Sequence, residues 1–397
     1  MLYALALALP SRRVNLAARA WRLTRRIVQL RRTSRLLRND RTCVAQMVQR
    51  NISLPYTMIA AIPEGARRGL LFCTVESDIR TLLSHPSRNA IFKHYQLYVC
   101  SPWSPPDPRP YRALSECASR AELFIGISNE DDLRSLPTIS SSITAVPTLA
   151  SDWLDPDDFS VVPAEEKSID IIMVAAWARY KRHWALFDAL TKLPPALRVS
   201  LVGGGDEGEF ERIRSLARKF RVPQNLEFHF RLPLKSVHGL QAKSRVAVQT
   251  SWREGTCVAV AEAMMSNTPV VVTADSHLGA KARVVDASGR LASRAQLASA
   301  ITFVLENRQS FSARSFLAEN HCCHTSLVEL RRVMSSSSSE SSVSDIQWLG
   351  TPKWSGFSPY LVNAKVDAFA KYEETRTAVA DACGIELRQG SEVLSRT

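Results

Sequence analysis

From residue 169 onward the apolar positions come in two alternating rhythms. Short, β-branched runs lie at 169–175, 197–202, 225–229, 245–249 and 269–273. Between and after them, stretches with helical spacing cover 181–192, 207–220, 234–242, 256–265 and 294–307. Strands that read as near-continuous hydrophobic runs, alternating with amphipathic helices, predict a doubly wound parallel sheet of α/β class. Ligands of such sheets meet the carboxyl ends of the strands. Lys181, Gly203 to Asp206, Arg231 and Glu254 each follow a predicted strand. The pattern therefore predicts that they converge on one edge.

The preceding region repeats the rhythm on a smaller scale. Gly69–Thr74, Gln96–Cys100 and Glu122–Ser128 read as strands, with a helix over Tyr111–Ala118. A chain of 397 residues exceeds one ordinary domain. The division that follows is a basic segment (1–42), a smaller α/β domain (43–165), a larger one (166–334), a serine-rich linker (335–345) and a tail (346–397). The tail holds Trp348, Trp354, Phe357 and Tyr360, with a helix predicted over 361–380.

The chemistry concentrates after the run 245–249. Glu254 stands in the loop and Glu262 eight positions later, about two turns into an Ala/Met-rich helix. The first amides of a helix have no intrahelical acceptor, so Gly255, Thr256 and Cys257 present N–H groups suited to an anion. From Cys257 to Glu262 a helix advances roughly 7 Å, a reasonable separation between a bound diphosphate and its ribose.

Thr250-Ser251-Trp252-Arg253-Glu254-Gly255 followed by Glu262-Ala263-Met264 resembles the E-x7-E motif of the retaining glycosyltransferases of family 4, the group 1 glycosyltransferases. Lys181, Leu201 to Glu207, Asn225-Leu226-Glu227-Phe228 and Pro269-Val270-Val271 extend the resemblance over roughly 168–310. It implies a GT-B fold, two Rossmann-like domains whose parallel sheets face a central cleft. It further implies that a hexose-type sugar moves from a nucleotide-sugar donor to a saccharide or lipid-linked acceptor, with no cofactor and no metal. Lys181 and the helix amides would meet the diphosphate, Glu262 the ribose and Glu254 the sugar. Gly203 and Gly205 would let the backbone approach the ligand. His94 is the candidate for the histidine that members often place near the transferred sugar. Members usually carry an arginine where Ala176 stands; Arg179, Arg182 or Arg231 would have to supply that charge. The rival readings are a catalytically inactive nucleotide-sugar-binding scaffold at a membrane and a phosphorylase-type enzyme of the same fold.

Charge adds one feature. The net charge is +13, and residues 12–41 contain eleven arginines and one acid, Asp40. Leu16, Leu23, Ile27, Leu30 and Leu37 share one helical face. A basic amphipathic helix suits an anionic membrane surface; an organellar transit peptide, RNA binding and a helix packed on the protein are the competing readings. No aromatic-rich sheet motif accompanies the arginines, so no nucleic-acid partner is expected. Eight dispersed cysteines without a C-x-x-C pair read as reduced thiols, hence a cytoplasmic protein, peripheral on the inner face of a membrane. Asp155-Pro156-Asp157 has D-x-D spacing but sits among linker prolines, and His321-Cys322-Cys323-His324 lacks the spacing of a zinc finger; neither is expected to hold a metal.

Overall fold

The structure is a computed structural model that describes residues 52–64, 68–100, 107–117, 123–337 and 346–394. The basic segment 1–42 and most of the serine tract lie outside the described residues. Strands of the first half are β1 (Ile52–Leu54), β2 (Thr57–Ile62), β3 (Gly69–Cys73), β4 (Tyr95–Val99), β5 (Leu123–Gly126) and β6 (Ile143–Val146). β3 to β6 lie side by side in chain order and all parallel, while β2 runs antiparallel to β3. Every residue of β3, β4 and β5 is buried, as expected of parallel strands covered on both faces.

The second sheet contains β7 (Ile169–Val174), β8 (Val199–Gly203), β9 (Leu226–Phe230), β10 (Ser244–Gln249), β11 (Val270–Thr273) and β12 (Gly289–Ala292). Its order is β9-β8-β7-β10-β11-β12, and every neighbouring pair is parallel. The chain builds outward from β7 in one direction, then restarts at β10 in the other. The crevice between the loops after β7 and β10 is thus the topological switch point, where open parallel sheets bind ligands. Two Rossmann-like parallel sheets make this the GT-B fold.

The helix Val258–Met265 explains its own composition. Six of its eight residues, Val260 to Met265, are buried, and its apolar side chains share one hydrophobic cluster with the β3–β5 core. A helix buried on most sides reads as apolar all round. Alanines let neighbours approach closely, and methionines fill irregular gaps.

The tail folds back onto the first sheet. β13 (Gln347–Trp348) adds an antiparallel edge strand to β2, β14 (Thr351–Ser355) and β15 (Ser358–Val362) form a hairpin, and β16 (Ile385–Leu387) pairs with β1. The helix expected over 361–380 instead spans Ala368–Cys383, because Pro359 to Val362 are buried strand positions paired with β14. Buried Lys353 anchors the hairpin, with its ammonium 3.2 Å from Asp155 and 2.7 Å from Asp158. The first carboxylate of the D-x-D therefore has structural work: Asp155 also caps the short turn 156–158 by accepting from the Asp157 amide. Asp155, Cys323 and His324 bring donor atoms within 4.8 Å of one another, but the Lys353 ammonium already neutralises Asp155.

Candidate functional site

Lys181 closes a short turn, Arg179–Lys181, after β7, and Glu254 lies in the loop after β10. Lys181 Nζ and Glu254 Oε2 are 2.5 Å apart, with side chains 9% and 13% exposed. The pair spans the switch point. Burial would lower the lysine pKa, yet it stands above its ordinary value, held there by Cys257 and Glu254. Cys257 is itself kept a neutral thiol by burial and by the neighbouring Glu254 carboxylate, so Glu254 is the anion that charges Lys181 at neutral pH. The Cys257 thiol donates to Glu254 Oε1 (3.3 Å) and accepts from Gln249 Nε2 (3.1 Å), which fixes the carboxylate from its other side. Beside this pair, buried His183 is pushed down to about 3 by burial, Lys181 and Arg212, and is therefore neutral.

The helix Val258–Met265 begins directly beneath Glu254. Cys257, its N-cap, is left-handed at φ 60°. The carbonyls of Gly255 and Thr256 accept from Gly279 and Ala280. The amides of Gly255, Thr256 and Cys257 have no acceptor among the described residues, and the Thr256 hydroxyl is buried without a partner. No acid occupies the first turn of this helix. The helix Glu207–Phe220, after the glycine turn, has Glu207 and Glu209 in its first turn and Asp206 capping the Glu209 amide. Negative charge at a helix N-terminus opposes an anion there, so the two helix starts are not equivalent.

Glu262 is buried to 9% exposure, 3.5 Å from Nε2 of His238 on the helix Leu234–Ala242. Helical side chains lean toward the N-terminus, so its carboxylate is tilted toward the same edge as Glu254. The glycines have distinct uses. A Cβ at Gly203 would lie 2.2 Å from the Ala175 carbonyl oxygen, so strand packing demands that glycine rather than ligand approach. Gly205, at φ +129°, needs glycine for its backbone. Arg231 reaches back over this turn, donating to the Gly205 carbonyl at 2.9 Å while lying over the Phe230 ring.

Two expected contributors are not brought to the site. His94 ends the helix Arg88–His94 and is exposed just before β4 begins. It therefore sits at the amino edge of the first sheet, about 16 Å of extended strand away from the carboxyl edge. Arg182 cannot answer a phosphate. It is buried, and its guanidinium is spent on the Thr250 and Ser251 carbonyls and on Asp275 (2.9 Å). That network instead fixes the loop that carries Glu254. Arg179 is exposed, 3.6 Å from Glu209, and with Arg231 it is an exposed cation at this edge.

A further histidine, unlike buried His183 and His238, is exposed at this edge: His277. Its backbone forms a parallel bridge with Arg253, and its carbonyl accepts from the Glu254 amide at 2.8 Å. It follows β11 by four residues, so the rule that places strand-following residues at this edge would have found it. Two residues on, a Cβ at Gly279 would lie 1.9 Å from the Ser128 carbonyl oxygen in the loop after β5. The loops of the two sheets meet there backbone to backbone. Gly279→Ala is expected to destabilise the fold by about 1–3 kcal/mol through overpacking, read as a lowered thermal midpoint; an unchanged midpoint would mean that the contact is not part of the folded protein in solution.

Residues 155–320 match the family model described as Glycosyl transferases group 1. The chain carries a glycosyltransferase domain. Among solved structures it is similar to Anabaena Alr3699/HepE in complex with UDP, with a TM-score of 0.53 and 15% identity over 67% of this chain and 78% of that one. The structure of that protein in complex with UDP-glucose gives 0.52 over the same shares. The sucrose-phosphate synthase (tll1590) from Thermosynechococcus elongatus gives 0.52 at 16% identity, over 67% of this chain and 72% of that one. At such identities the likeness concerns the fold. No curated protein matches the chain significantly by sequence. The glycosyltransferase domain contains every element of the switch-point site, while β2–β6 and the tail hairpin lie outside the match.

Proposed function

We propose that the chain transfers a hexose-type sugar, with retention of anomeric configuration, from a nucleotide-sugar to a saccharide or lipid-linked acceptor. The observation that carries this reading is the buried Lys181–Glu254 pair at the switch point, beside a helix start free of acids. A donor diphosphate would draw Lys181 away from Glu254 and take the amides of Gly255 to Cys257 and the Thr256 hydroxyl. Glu254 is then left unneutralised beside the sugar, where its charge stabilises the oxocarbenium-like state. The bond between the anomeric carbon and the phosphate oxygen breaks as the acceptor oxygen bonds to the same face. The leaving phosphate receives the acceptor's hydroxyl proton. Glu262 holds the ribose. Likenesses to structures holding UDP and UDP-glucose support a nucleotide-sugar as the donor.

Thermal denaturation with a panel of nucleotide-sugars tests this directly. A true donor at 100 times its Kd stabilises by roughly 2.7 kcal/mol, and the gain is expected to persist in excess chelator, because Lys181 and the helix amides carry the phosphate charge without a metal. No stabilisation by any member of the panel would end this reading, and a gain abolished by chelator would place a metal in the site. Among the described residues no helix is long and apolar enough to cross a membrane. We place the protein in the cytoplasm, with residues 12–38 as a basic amphipathic anchor on the membrane's inner face. Deleting residues 1–41 is then expected to abolish sedimentation with anionic liposomes at low salt and to leave nucleotide binding unchanged; equal sedimentation of both proteins would refute the anchor.

A further inference from the structure

The tail hairpin reaches the cleft from outside the glycosyltransferase domain. Its turn, between β14 and β15, lies between the loop after β3 and the start of the helix Leu234–Ala242. The Thr74 hydroxyl, at the carboxyl end of β3, donates to the Phe357 carbonyl at 2.5 Å. On the other side, a Cβ at Gly356 would lie 3.2 Å from Leu234 Cδ2, and Leu234 is the first residue of the helix Leu234–Ala242. Phe357 is 63% exposed and left-handed at φ 73°. Gly356 is left-handed too, and Ser355 pairs with Ser358, so the two-residue hairpin turn sets this backbone and presents the Phe357 ring to solvent. Its ring is held edge-on by Trp354, with centroids 5.6 Å apart. The Trp354 indole N–H is buried without an acceptor among the described residues.

The direction of a bound donor leads to this turn. With the diphosphate at Lys181 and Gly255–Cys257 and the ribose at Glu262, the ribose lies against His238 in the middle of the helix Leu234–Ala242. Ligands lie outside the carboxyl ends of the strands, so the base extends toward the start of that helix rather than its end. That start is Leu234, three residues after Arg231, and the hairpin turn stands over it. We infer that Phe357 is the platform on which the nucleotide base of the donor stacks, so that the tail closes the base end of the pocket. This rests on the donor-site reading above. An aromatic face suits a base because every base offers a π surface. The Lys353 ion pairs to Asp155 and Asp158 keep the platform in place.

The test is titration calorimetry on the full chain with a panel of nucleoside diphosphates and with inorganic pyrophosphate, which has no base. Phe357→Ala is expected to weaken the preferred nucleoside diphosphate about tenfold and to leave pyrophosphate unchanged. Phe357→Trp, which keeps a stacking face, is expected to bind like wild type. Unchanged nucleotide affinity in Phe357→Ala, an equal loss of pyrophosphate, or an equal loss in Phe357→Trp would each overturn the platform and spare the donor site. Wild-type protein that binds no nucleoside diphosphate would overturn both.

Discussion

Lys181→Ala is expected to weaken nucleoside diphosphate binding by about tenfold to a hundredfold. A charge-assisted contact to phosphate contributes roughly 1.5–3 kcal/mol, and each 1.4 kcal/mol is about tenfold in affinity. The substitution also removes the only cation paired with Glu254 among the described residues. An unneutralised carboxylate then faces the incoming phosphates, so the loss falls toward the upper end of that range. The fold suffers as well, since breaking one side of a buried ion pair costs about 3–5 kcal/mol. Calorimetric titration below the lowered melting point separates the two effects. Equal affinity in both proteins would remove Lys181 from the donor site.

Glu254→Gln is expected to spare nucleoside diphosphate binding and to damage turnover. The amide is nearly isosteric and can still accept from Lys181, so the stability loss is smaller than for Lys181→Ala. It carries no charge to oppose the positive charge that develops on the sugar. Losing one such electrostatic partner lowers kcat by about 10²–10³-fold. Affinity for the nucleoside diphosphate should not fall, because Lys181 is released from its carboxylate and becomes freer to meet phosphate. The two substitutions therefore separate binding from turnover at positions 2.5 Å apart. A loss of diphosphate affinity in Glu254→Gln as large as that in Lys181→Ala would show that Glu254 organises the phosphate site instead of acting on the sugar.

Much of the second sheet was legible from periodicity alone. The helices Glu207–Phe220 and Leu234–Ala242 end where the apolar spacing ends, and β7 to β11 fall within a residue or two of the β-branched runs. These are the buried, repetitive parts of the fold, where each residue's environment follows from its neighbours in the chain. β12 was not legible: Gly289–Ala292 is four residues long with only its ends buried, too short for a period to show. β2 and β6 escaped for a related reason. β2 is irregular against β3, with its register shifting between Ile59 and Ala61, and the middle residues of β6 are only half-buried.

The sequence by itself determined that Lys181, Glu254 and the start of the helix Val258–Met265 would share one edge, because in a parallel sheet every strand delivers its following loop to the same side. It could not determine what each group touches once there. Whether Arg182 is free for phosphate depends on carbonyls at Thr250 and Ser251 and a carboxylate at Asp275, all more than sixty residues away. His94, by contrast, precedes β4, so the same rule puts it at the opposite edge. The tail's return to β2, the seating of its turn between Thr74 and Leu234, and the backbone contact of Gly279 with Ser128 are long-range contacts with no local period. Only the packed tertiary structure decides them, because their free energy comes from surfaces that meet after the sheets have formed.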